Sequence, residues 1–237
     1  GISVYPVDGD TPLILLRNAD TAMYRAKQLG GNQLQFYDAS MSNQLRDRLE
    51  LESELHGALE NNEFYMVYQP QVSIKDGTTI GAESLMRWNN KKHGEITPDR
   101  FIPLLEETGL IYSVGKWVVK EVVNFIQTQQ HNDITFSINL SALQCSNYEF
   151  IDFVESEIKA ANIDAGKIEF EVTESLLIND FETTKSFLDK LHALGCTIAL
   201  DDFGTGYTSM NYIARLPIDV IKIDKSLIRN IAKSGSL

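Results

Sequence analysis

Cysteine is scarce in this chain. Only Cys145 and Cys196 occur, far apart and in no Cys-x-x-Cys pattern. That excludes a disulfide framework and a thiolate metal cage, and a reducing cytoplasm is the simplest setting. The four histidines, His56, His93, His131 and His192, lack the spacing of zinc ligands. No apolar run approaches the ~20 residues that cross a bilayer. No signal-peptide pattern is present, so no membrane contact is expected from these residues. Positive charge is also in deficit: 21 Lys and Arg stand against 33 Asp and Glu, a formal net charge of -12. Long nucleic acid needs a basic footprint and is not an expected partner. A small anionic ligand remains compatible, because bound cations reverse the local sign.

What is present is globular. Of 237 residues, 43% are hydrophobic and 23% charged. That supports a sizeable core in one large domain or two small ones. The opening Gly1-Ile2-Ser3-Val4-Tyr5 reads as a strand already under way. Residues 2–7 and 33–37 are strand-like, and 11–30 carry apolar residues at helical spacing, with Thr11-Pro12 at the start and Gly30-Gly31 at the end. This β-α-β piece is too small to fold alone. Residues 41–62 form a charged amphipathic helix, read as a linker. From residue 63, strands are expected at 64–69, 79–86, 134–140, 167–172, 197–202 and 219–224. Helices are expected at 99–130, 146–161 and 181–194, the last closed by Gly195. Strands alternating with helices mean parallel βα units. Asp76-Gly77 joins the first two strands as an antiparallel hairpin.

The informative residues lie near the C-terminal ends of these strands: Glu83, Asn139, Glu171, Asp201 with Asp202, and Lys222. From Asn139 onward the successive separations, to Glu171, then Asp201, then Lys222, are 32, 30 and 21 residues, each about one βα unit. In a (β/α) barrel those ends converge on one face. Four carboxylates and an amide share a dry pocket only if cations neutralise them. Oxygen donors suit hard ions such as Mg²⁺ or Mn²⁺. Two such ions ~4 Å apart activate water and stabilise in-line displacement at phosphorus. Lys222 can orient that water or offset phosphate charge. Singly, each residue has an ordinary reading. Glu83 can be a surface carboxylate, Asn139 with Ser141 a helix cap, one of Glu169 and Glu171 the polar face of a strand, and Asp201-Asp202 a turn. Their joint spacing favours the site.

The run 201–209, DDFGTGYTS, resembles the signature loop of EAL-domain cyclic-di-GMP phosphodiesterases. Further matches follow in family order: Tyr68-Gln69-Pro70, Ala82-Glu83-Ser84-Leu85 with Arg87-Trp88, Phe101-Ile102-Pro103-Leu104, Asn139-Leu140-Ser141, Glu171-Val172-Thr173-Glu174 and Lys222-Ile223-Asp224. The resemblance implies a TIM-like barrel that cleaves cyclic di-GMP to linear pGpG with Mg²⁺ or Mn²⁺, two ions being expected. It implies metal ligation by Glu83, Asn139, Glu171, Asp201 and Asp202, and Lys222 beside the attacking water. It places Gln69, Arg87 and Asp224 at the substrate, and Glu174 under the 203–209 loop. It also suggests a homodimer. Residues 1–40 resemble the tail of a GGDEF domain, without its signature, so cyclase activity is not expected. The implied organisation is a remnant at 1–40, a linker helix at 41–62 and an EAL-like domain at 63–237.

Two departures stand out. Glu83-Ser84-Leu85 has serine where the family has alanine. The family pattern also continues beyond Lys222-Ile223-Asp224 with two strands, a catalytic glutamate and a substrate-site glutamine. The polar tail 232–237 reads as frayed and supplies none of them. A barrel incomplete at its C-terminus, with impaired hydrolysis, is therefore expected, and a non-catalytic cyclic-di-GMP-binding module is the alternative.

Overall fold

The structure, a computed structural model, describes residues 1–128, 134–174, 176, 180–205 and 210–234. They form two compact units, Gly1–Ala58 and Leu59–Leu237.

In the first unit, helix α1 (Pro12–Gln28) begins where the Thr11 hydroxyl accepts from the Ile14 amide, with Pro12 at the first helical position. It ends before Gly30 and Gly31, both at positive φ. The two strands expected at 2–7 and 33–37 contract to a single parallel bridge, Ile2 to Phe36. A β-strand needs neighbours on a ladder, and only this one pairing is available to either segment within the unit. Helix α2 (Ala39–Ala58) follows, packed on α1 and burying Leu51, Leu55 and Ala58.

The second unit is a βα sheet. Strands β1 (Phe64–Val72) and β2 (Thr79–Asn90) form the expected antiparallel hairpin, turning at Gly77 with φ +75°. Strand β3 (Gly94–Ile96) extends it, pairing Ile96 with Trp88. That strand was not expected, because Lys91-Lys92-His93 is charged. The Asn90 side chain organises the turn by accepting from the amides of Lys92 and His93, each at 3.0 Å.

Strands β4 (Thr135–Asn139), β5 (Ile168–Thr173), β6 (Thr197–Phe203) and β7 (Val220–Ile223) add in parallel. Among the described residues the order is β1-β2-β4-β5-β6-β7, an open arc whose two end strands do not pair with each other. This is a TIM-like (β/α) sheet with an antiparallel first strand, and it is not closed among the described residues.

The helix expected at 99–130 is two helices, α3 (Pro98–Glu107) and α4 (Ile111–Thr128). Gly109 at φ +74° stops the first, and the Thr108 hydroxyl caps back onto the Leu104 carbonyl at 2.6 Å. Residues 129 and 130 lie outside the described residues. Helices α5 (Tyr148–Ala161), α6 (Phe181–Ala193), α7 (Met210–Ile213) and α8 (Lys225–Ser234) complete the fold. Gly195 follows α6 at φ +98°, as expected. The tail read as frayed is helical as far as Ser234, while 235–237 lie outside the described residues.

One face of the sheet is apolar. Phe136, Ile138, Ile168, Phe170, Val172, Ile198 and Leu200 are buried there, against Val119, Val122 and Val123 of α4, Phe150 and Val154 of α5, and Phe187 and Leu191 of α6. Because side chains alternate along a strand, the neighbours of these residues face the other way, into the mouth of the arc. Those neighbours are largely polar.

Candidate active site

Register decides which residues meet. Asn139 pairs with Glu171, Glu83 with Ser137, and Gln69 with Glu83. Glu171 pairs with Ala199 and Thr173 with Asp201, so Asp201 shares a face with Glu171. The sequence places Glu83 near the end of its strand, and the structure corrects this. Strand β2 runs on to pair with β3, and Glu83 lies instead near the end of the stretch paired with β4.

On this inner face the residues converge. The Lys222 ammonium lies 2.5 Å from Glu171 Oε2, 3.1 Å from Glu83 Oε2 and 3.7 Å from Asp201 Oδ2. Asn139 Nδ2 donates to Glu83 Oε1 at 3.0 Å. Five expected site residues thus form one cluster. Asp202 borders it. Its φ of +54° coincides with a register shift between β6 and β7, which breaks the alternation after Asp201.

Charge is tightly held here. Burial pushes the Glu171 carboxyl up to about 7, against the hydrogen bond and charge of Lys222. Burial acts to lower the Lys222 ammonium, but its bond to Glu171 and the charges of Glu171, Glu83 and Asp201 hold it above its ordinary value. Asp202 is raised by burial and then by the neighbouring Asp201 and Asp224.

The remaining expected residues divide. Glu174 is buried, and its Oε2 accepts from the Gly204 amide at 3.1 Å, while its own amide donates to the Asp201 carbonyl. That ties the base of the 203–209 loop to β5; residues 206–209 lie outside the described residues. Gln69 is exposed across the ladder from Glu83. Arg87 donates to the Met86 carbonyl at 3.0 Å and borders a cavity of about 310 Å³ shared with Leu85, Asn139 and Ser84. Asp224 serves a local structural role, since its carboxylate accepts from the Ser226 amide at 2.8 Å and opens α8. The Ser226 hydroxyl, and then this amide, hold its pKa low.

Two groups were not singled out as site residues from the sequence. Glu169 is not the solvated face of a strand. It is buried one layer below Glu171 and accepts from the Ser137 hydroxyl at 2.9 Å, which in turn lies 3.4 Å from Gln71 Nε2. Burial raises its pKa, against the Ser137 bond. Its alternation with Glu171 was the available signal. The second group is Glu106, Ser141 and Gln144, in which tertiary structure brings Glu106 to a local Ser141–Gln144 pair.

The donor set fits a hard divalent cation. It is oxygen-rich, and Glu171 Oε1 is buried with no hydrogen-bond partner. Among the described residues the acids do not form a ready-made cage, because the Lys222 ammonium stands between them. Glu83, Asn139, Glu171 and Asp201, with Asp202 beside them, are the side chains that would hold such an ion.

A model of the EAL domain matches residues 52–237. The chain belongs to the EAL-domain family. It is 40% identical over 235 residues to the bifunctional diguanylate cyclase/cyclic di-GMP phosphodiesterase MucR of Pseudomonas aeruginosa, covering 98% of this chain and 34% of that protein. It is 34% identical to the cyclic di-GMP phosphodiesterase NbdA of the same organism, covering 99% and 30%. This EAL chain therefore spans about a third of the length of these curated relatives. A solved structure of the MucR phosphodiesterase in complex with c-di-GMP superposes with a TM-score of 0.74 at 38% identity, over 78% of this chain and 76% of that one. No helix among the described residues is long and apolar enough to cross a membrane.

Proposed function

We propose that this EAL domain hydrolyses cyclic di-GMP to linear pGpG, using two Mg²⁺ or Mn²⁺ ions. The observation that carries the reading is the convergence of Glu83, Asn139, Glu171 and Asp201 around Lys222, with one buried Glu171 oxygen left unpartnered. The names of MucR and NbdA support the substrate. Ions held by these oxygens supply Lewis acidity toward the phosphate and the attacking water.

The protein groups do the rest. Glu171, drawn up to about 7 by burial even with Lys222 beside it, would become a committed anion once a metal ion is bound. Lys222, kept protonated by three acids, offers its N–H groups to the attacking water or a phosphate oxygen. Gln69 and Arg87 border the mouth and hold the ligand, with Asp224 and Asp202 nearby. Glu174 fixes the loop beside the acids through the Gly204 amide. We assign residues 1–40 as a GGDEF-like remnant, 41–62 as a linker helix and 63–237 as the catalytic domain. Action in the cytoplasm, as a homodimer, without contact to membrane or long nucleic acid, completes the proposal.

The Lys222 ammonium among the acids favours one second reading, a module that binds cyclic di-GMP without cutting it. The test is to incubate the chain with cyclic di-GMP and Mg²⁺ or Mn²⁺, following pGpG and bound ligand together. Product that is lost in Glu83→Ala supports hydrolysis. Tight binding without product supports the second reading. Absence of both product and binding removes both readings.

A further inference from the structure

The loop that follows β4 is held by a side chain of α3 and by side chains of its own. Ser141, two residues after Asn139, donates its hydroxyl to Glu106 Oε1 of α3 at 2.5 Å. Its amide donates to Gln144 Oε1 at 3.0 Å. Its carbonyl accepts from the Gln144 amide at 3.0 Å and from the Cys145 thiol at 3.6 Å. The Leu143 amide closes back onto the Ser141 hydroxyl at 3.3 Å. Ser141 thus has every polar group engaged, and it does not cap the following helix: Asn147 caps α5.

Gln144 sits in a slot made for it. Its side chain is 2% exposed. It lies against Gly115 in the interior of α4, where an added Cβ would stand 2.0 Å from Gln144 Nε2. Glycine inside a helix costs about 1 kcal/mol relative to alanine. Here the missing side chain opens the space that the Gln144 amide fills.

The network has one outlet toward the site. Asn139 ends β4, and Leu140 is pinned by its amide to the Glu171 carbonyl at 2.9 Å. With Ser141 fixed on one side and β4 on the other, the Asn139 backbone has no freedom to turn, and its amide is aimed at Glu83. Asn139 is also exposed, so packing constrains its side chain only partly. Its orientation rests on the backbone beneath it and on the bond to Glu83.

We propose that Glu106, Ser141 and Gln144 are positioning residues that aim Asn139 at the cation site. The inference rests on the proposed function for the identity of that site. Groups of this kind, behind the ligands of a metal, change affinity by about tenfold to a hundredfold when removed.

The experiment is Mn²⁺ titration of the full chain by calorimetry, with cyclic-di-GMP turnover measured on the same samples and melting measured without metal. Ser141→Ala and Glu106→Ala are each expected to weaken Mn²⁺ binding about tenfold or more. The double variant should be no weaker than the worse single, because both act through one hydrogen bond. Glu106→Gln keeps an acceptor for the hydroxyl and should restore much of the affinity. In an Asn139→Ala background, Ser141→Ala should change nothing further. Unchanged Mn²⁺ affinity in Ser141→Ala overturns the proposal, as does an equal loss in both backgrounds, and so does a loss explained by a matching fall in melting temperature. Mn²⁺ binding without turnover by the unaltered chain overturns the proposed function while leaving this inference readable. No Mn²⁺ binding by the unaltered chain overturns both.

Discussion

The two faces of the same strands obey different rules. On β5, Ile168, Phe170 and Val172 point to the helices, and Glu169 and Glu171 point into the arc; all five are buried. The outer face is stabilised by apolar area removed from water, at roughly 25 cal/mol per Å². The inner face removes carboxylates from water, which disfavours their charged form. Its compensation is one lysine and a few hydroxyl and amide bonds, and one buried oxygen is left with nothing to bond. The outer face makes the molecule stable, and the inner face draws on that stability to hold groups in a state they would not choose.

This contrast can be broken experimentally. The largest effect is expected from Glu171→Ala, which should lower cyclic-di-GMP turnover by more than about a hundredfold, beyond the range seen for groups behind a metal's ligands. Its folding stability without metal should not fall by more than about 1 kcal/mol. Next, Phe170→Ala, one position away on the other face, should cost about 3–5 kcal/mol in denaturant unfolding. If the two variants exchanged phenotypes, the distinction between the faces would be lost.

The third prediction concerns pH. Glu171 has a folded value of about 7, above its ordinary 4.5. The unfolded chain therefore releases this proton first as pH rises. Stability from this group is greatest below about pH 4.5, declines through pH 7 and then levels off, by up to ~3 kcal/mol. Glu169 acts in the same direction. Urea unfolding in a chelator, at pH steps from 5 to 8, should show a fall that is smaller in Glu171→Gln. An identical slope in both proteins would remove Glu171 as its source.

The smallest effect tests the outer face at a lapse among the described residues. Ser84 replaces an alanine of the family pattern. Its hydroxyl is buried without a partner beside the 310 Å³ cavity. Ser84→Ala should raise stability by about 1 kcal/mol, since an unmatched hydroxyl costs about that much to bury. A loss of stability would mean that the hydroxyl is satisfied in solution.

The strands beginning near residues 64, 79, 134, 167, 197 and 219 were legible because each is a short apolar or alternating run bounded by turn residues. The convergence of Glu83, Asn139, Glu171, Asp201 and Lys222 was legible from spacing and motif. The break at Gly109 was not, because apolar periodicity continues across it on both sides. Strand β3 was hidden by its charged turn. The strands expected around Ile2 and Phe36 depended on partners that no local pattern can report. The slot between Gly115 and Gln144 joins positions 29 residues apart through packing alone, so composition and period carried no sign of it.

Lys222 gives the site a resident counter-ion on a tether. Any free cation that enters must compete with a charge already in place and always at hand. A potassium or sodium ion would exchange one positive charge for another and gain little. A doubly charged ion would gain a unit of charge in the same exchange, and would free the amine for the role proposed above. Selection for divalent over monovalent ions can thus arise from competition rather than from the size of a cage, and a cell rich in potassium would leave the site unfilled by the wrong ion.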